Sequence, residues 1–106
     1  MKSNDLFTEI IRGLKDVTEK PHFERSGFSV GKKLFATVDA KHTLACVKLS
    51  PESQHQFHKI DKAVYPVPNS WGKKGWTNLD LLKIPESLLA EVIETAYYES
   101  KNTSSC

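Results

Sequence analysis

The chain reads as an α+β domain: an antiparallel sheet, built from a three-strand meander plus short strands, packed against N-terminal, middle and C-terminal helices. Three patterns predict it. Apolar residues recur at four-residue spacing near the start, the period switches to two from Gly27, and a broad apolar stripe follows Pro85. The chain has 106 residues, 39% hydrophobic and 26% charged, which gives room for one core and a single domain over 1–106, with a polar tail from about residue 100.

In order, residues 5–14 place Leu6, Ile10 and Leu14 on one helical stripe beside Phe7 and Ile11, with Ser3 or Asn4 available to cap the start. Gly13 and the following residues to Phe23 read as helix exit and connection, because Pro21 holds Lys20 out of helical geometry. Residues 27–30, 33–39 and 43–50 alternate and are rich in β-branched and aromatic side chains, as strands of a meander are. Gly31-Lys32 suits a tight first turn with glycine at positive φ, and residues 39–42 form a longer second one. Strict alternation puts Leu34, Ala36 and Val38 on one face of the middle strand and Phe35 with Thr37 on the other. In the third strand Leu44, Cys46 and Lys48 oppose Ala45, Val47 and Leu49.

Ser50-Pro51-Glu52 is a helix start, with serine as cap, proline at the first helical position and an acid complementing the dipole. That helix is expected to run to about Ile60 with Phe57 and Ile60 inward. Pro66 and Pro68 then hold an extended edge or loop, and a short strand covers 76–79. After Pro85, Leu88, Leu89, Val92, Ile93, Ala96 and Tyr97 form the stripe of a last helix that frays from Ser100.

The start lacks an apolar stretch of signal-peptide length, since Asp5, Glu9 and Arg12 interrupt it, and no segment approaches membrane-spanning length. A cytoplasmic monomer with Cys46 and Cys106 reduced is the expectation. The net charge is only +2, but residues 26–84 hold nine Lys/Arg against four Asp/Glu, while residues 85–106 hold one against four. A basic face opposite an acidic helix follows if the fold separates them, although such runs also serve simply as solvated surface.

The runs KPHF, FSVGKKLFATV, VKLSPE, VYPVPNSWGKKGWTNLDL and SLLAEVIETAYY, in this order between about Leu6 and Tyr98, resemble the MmcQ/YjbR family of small bacterial proteins. The resemblance implies a CyaY-like (frataxin-like) fold. It also implies DNA binding, a label the family carries because its sheet and hairpins resemble a double-wing arrangement, and a shape is not a function.

The most suggestive stretch is Trp71-Gly72-Lys73-Lys74-Gly75-Trp76, where glycines permit a bend that presents two ammonium groups between two indoles. Lysines would pair with phosphates and an indole would stack on a base. Trp76 begins a strand and reads better as packing; Trp71 is open to either role. Lys32 and Lys33 at the first hairpin tip, and Lys41 and His42 at the second, are the candidate wings, with Arg25 able to join them, while lysines at such tips also guard sheet edges. The nucleic-acid set is therefore Arg25, Lys32, Lys33, Trp71, Lys73 and Lys74. The alternative is a protein-interaction or small-ligand module whose cleft, between the 66–76 segment and the sheet, is lined by His22, Tyr65 and Trp71.

His55 and His58 stand three apart on a helix but have no accompanying ligand set, so no metal or cofactor is expected. Asp5 and Glu9 are interspersed with Arg12 and Lys15, unlike the acidic ridge that frataxins use for iron. There is no nucleophile elbow, P-loop or dinucleotide fingerprint. A binding module rather than an enzyme is the reading.

Overall fold

A computed structural model of the chain describes residues 3–22, 25–39, 41 and 43–103. The elements run α1 (Ser3–Arg12), β1 (Val17–His22), β2 (Arg25–Val30), β3 (Lys33–Asp39), β4 (Leu44–Lys48), α2 (Pro51–Ile60), β5 (Val64–Pro66), α3 (Ser70–Lys73), β6 (Trp76–Asp80) and α4 (Glu86–Thr103). The six strands form one antiparallel sheet in the order β1-β2-β3-β4-β6-β5.

The expected meander is present as β2, β3 and β4, and Gly31 takes φ +62 in the turn between the first two. The connection expected over residues 14–23 is instead largely a strand. β1 pairs with β2 from Val17↔Val30 to His22↔Arg25 and carries Pro21. A proline cannot donate to the ladder, so it is tolerated here because β1 is an edge strand. β5, ending in Pro66, is the other edge for the same reason.

α1 and α4 cover one face of the sheet. Phe7 and Ile11 from α1, and Leu89, Val92, Ile93 and Ala96 from α4, are buried against Phe28, Ala36, Val38, Ala45, Val47 and Leu79. Burial of this kind stabilises by roughly 25 cal/mol per Å² of apolar area removed from water, which makes this layer the main driving force for folding. The Ser3 and Asn4 side chains, expected as caps of α1, lie outside the described residues.

The alternation expected in β3 is broken. Phe28 pairs with Ala36 but Ser29 pairs with Leu34, so a bulge inserts Phe35. Phe35 thereby joins Ala36 on the helix-covered side, edge-on to Tyr97 with centroids 6.0 Å apart. Leu34 moves to the open face with Thr37.

α2 opens as expected, with Pro51 at the first position and the Ser50 hydroxyl accepting from the Ser53 N–H at 3.1 Å. Its inward residues, however, are Gln54 and Phe57. Ile60 is 65% exposed because the helix ends there and the chain turns at Asp61. α4 does not fray at Ser100 but continues to Thr103, since Ser100 is buried and Glu99 is anchored to the start of α2. No helix among the described residues is long and apolar enough to cross a membrane.

Candidate functional site

Directly paired residues of an antiparallel sheet project to the same side. On the face away from α1 and α4 the pairs Thr37↔Cys46, Cys46↔Asn78 and Asn78↔Tyr65 therefore form one transverse row, with Lys48↔Trp76 in the next. Val67 and Trp71 reach over this face from the segment between β5 and β6. The result is a groove of about 600 Å³ whose floor is Thr37, Cys46 and Asn78, with Leu34, Leu44, Val67 and the two tryptophans as walls and Arg25 at one side.

The indoles are placed by backbone packing. Gly72 lies so close to β5's extension that an added Cβ would meet the Val67 carbonyl oxygen at 1.9 Å. Gly75 takes φ +109, and a Cβ there would meet the Leu49 oxygen at 1.8 Å. The Leu49 N–H donates to the Gly75 carbonyl at 3.0 Å. The glycines are therefore required by close approach of chain to chain, not only by the bend. From below, the buried Gln54 amide nitrogen lies 3.0–3.1 Å from the carbonyl oxygens of Gly72 and Trp76 and the Thr77 hydroxyl, and its two N–H groups are shared among these three acceptors. Asn69 caps α3 by accepting from the Trp71 N–H at 2.9 Å.

Trp71 is 55% exposed at the groove mouth, and the Lys74 ammonium lies 5.0 Å above its ring. Such a contact orients both groups. The Arg25 guanidinium donates to the Thr37 hydroxyl at 3.1 Å. Burial opposes the charge of the Asp39 carboxylate. Even so, the N–H groups of Leu44 and Thr43, the Thr43 hydroxyl and the Arg25 charge together hold its pKa below the usual value. At the floor, burial pushes the Cys46 thiol up to about 11, only partly offset by Arg25 and the Thr77 N–H, so it is neutral at physiological pH.

The YjbR family model matches residues 12–99. The chain belongs to the YjbR family. None of the curated proteins matches it. Among solved structures it is similar to a Deinococcus radiodurans protein, DR2400, described by the domain name DUF419. The two are 22% identical over 92% of this chain and 77% of the other, with a TM-score of 0.75, and at that identity the likeness shows the fold.

In this YjbR-family chain the predicted residues are partly brought together. Arg25 and Trp71 share the groove, and Lys73 and Lys74 are exposed on and just after α3. Leu34 carries the wall up to the β2–β3 turn, where Lys32 and Lys33 are exposed. The antiparallel order puts the start of β3, the end of β4 and the start of β6 at one end of the sheet. Lys32 and Lys33, Lys48, and Lys73 with Lys74 thus arrive there from three separate segments. Lys41, in the β3–β4 turn, is at the opposite end, so the two hairpin tips do not form one surface.

Of the alternative cleft residues, Trp71 is a wall. Tyr65 is one strand beyond Asn78 on the same row and is not among the groove's lining residues, and the His22 side chain lies outside the described residues. Trp76, read as packing, is half-buried and lines the groove. Asn78, Cys46 and Lys48 were not singled out for the site from sequence, although the alternation of residues 44–48 already puts Cys46 and Lys48 on one face. His58 bonds the Val64 carbonyl through Nδ1 at 2.7 Å, and no group of three His, Cys, Asp or Glu among the described residues is arranged to hold a metal ion.

Proposed function

We propose that this YjbR-family protein is a noncatalytic nucleic-acid-binding domain that uses the open face of its sheet. Lys32, Lys73 and Lys74 contact phosphates, Arg25 and Trp71 engage the strand at the groove, and Lys33, paired with the core residue Val30, projects to the helix-covered side. The observation that carries this reading is the exposed Trp71, held under the Lys74 ammonium at the end of the sheet where the lysines converge. Cation plus indole beside a groove is the combination that holds a nucleic-acid backbone and its bases together. The modest net charge of +2 matters less than this convergence, because phosphate contacts act locally within a Debye length of about 8 to 10 Å.

Fluorescence anisotropy with a labelled DNA oligonucleotide tests it. Binding should be measurable at micromolar protein in 50 mM salt and weaken as salt rises, with a log–log slope of roughly −2 to −3 for three or four phosphate contacts. Lys73→Glu with Lys74→Glu should abolish it. Failure of any oligonucleotide to bind at low salt removes the reading.

One observation favours a second reading, a small-ligand module. Leu34, Leu44, Val67 and the indoles make the groove predominantly apolar, as ligand pockets are. An uncharged aromatic compound would then raise the melting temperature to the same extent at low and high salt.

A further inference from the structure

Asn78 sits on the groove floor beside Cys46, on the side towards Tyr65 of the open face, half-buried among apolar walls. Among the described residues its side-chain amide makes no hydrogen bond, whereas Arg25 and Thr37, also in the groove, bond each other. Its carboxamide offers a donor and an acceptor side by side to whatever enters the groove in place of water. What pairs with both edges at once is a planar group bearing an acceptor and a donor side by side, and a nucleobase edge is such a group.

We propose that the groove takes one unpaired nucleobase, with the Asn78 amide hydrogen-bonded to the base edge and the ring stacked against Trp71 and Trp76, so that the preferred partner is single-stranded. This rests on the nucleic-acid reading above and sharpens it. In a duplex the base faces are stacked on neighbours and hidden from an indole, so only a single strand or an extruded base reaches Trp71. The charge layout agrees with a strand entering at this point: the lysines stand outside the groove at one end of the sheet, where phosphates would run, and the interior carries only apolar and neutral polar groups apart from Arg25. The volume of about 600 Å³ is ample for a ring system with its sugar.

The experiment compares three oligonucleotides of equal length in anisotropy titrations: a single strand, a blunt duplex, and a single strand whose central positions are abasic. The intact single strand should bind roughly tenfold more tightly than either of the others and should quench tryptophan fluorescence. Trp71→Ala, at an exposed position, should erase that preference, lowering affinity for the intact strand far more than for the abasic one, whose smaller loss reflects the Lys74 ammonium released from the ring. Asn78→Leu should do the same in part, with its thermal melt confirming that it is folded. Equal affinity for intact and abasic strands would overturn the base pocket while leaving phosphate binding in place. No binding to any of the three overturns both.

Discussion

The carboxylate of Glu99, near the end of α4, accepts hydrogen bonds from the backbone N–H and the hydroxyl of Ser50 at 2.8 and 3.0 Å, 49 residues away in sequence. Ser50 is the N-cap of α2, and Ser53 adds a third bond to the same carboxylate at 2.7 Å. A negative group is thus set against the positive end of a helix dipole, tying the last helix to the junction between β4 and α2. Glu99→Ala should cost about 1 to 3 kcal/mol in urea unfolding, the scale of hydrogen bonds to a charged acceptor. Glu99→Gln should recover part of it. A change near zero would mean that the contact adds nothing to water's competition for the same groups.

Three glycines should respond differently to the same substitution. Gly31 has φ +62 with open space around a prospective Cβ, so Gly31→Ala should cost about 1 to 2 kcal/mol through backbone strain alone. Gly72 and Gly75 would drive a Cβ into the carbonyls of Val67 and Leu49. Their alanine variants should cost more than Gly31→Ala and also alter Trp71 fluorescence, because α3 must lift off the sheet. Equal losses at all three positions would contradict the close-approach argument.

Asp39 makes stability depend on acid. Its folded pKa is held below the ordinary 3.8 despite burial, by the Leu44 and Thr43 N–H groups, the Thr43 hydroxyl and Arg25. A depressed folded value means that its contribution is present above the usual carboxylate range and disappears as pH falls through the folded pKa. Asp39→Asn should therefore lower the urea midpoint at pH 7 and show a shallower fall from about pH 5 downward. Parallel acid curves for the parent and variant would refute this.

Cys46 should be chemically quiet. With its pKa at about 11, on the order of one thiol in a thousand is ionised at pH 8. In a Cys106→Ser background, iodoacetamide at pH 8 should leave native Cys46 unmodified over the time that alkylates it in denaturant. Rapid native alkylation would show a groove floor far more open than its 8% exposure implies.

Much of the architecture was legible along the chain, for reasons local to it. The α4 stripe, the Ser50-Pro51 start, the meander and the positive-φ turn at Gly31 each follow from periodicity or from one residue's conformational range. β1 was missed because a six-residue edge strand containing a proline has little alternation of its own and is recognisable only beside β2. The faces of Leu34 and Phe35 were exchanged because one bulge reverses the period-two rule, and a bulge is created by pairing rather than by either strand alone. Ile60 was placed inward because its spacing from Phe57 fits a stripe that the helix ends too soon to use.

For the site, the chain by itself determined the chemistry available: the indoles, lysines and glycines of residues 71–76, the basic turn at 32–33, and the family to which they belong. Only the tertiary structure decided which of these meet. Strand order brings Lys48 and the lysines of two other segments to one end and sends Lys41 to the other, and cross-strand register sets Asn78 between Cys46 and Tyr65. Adjacency across a sheet depends on hydrogen-bonded pairing between segments distant in sequence, and no local pattern of side chains encodes that pairing.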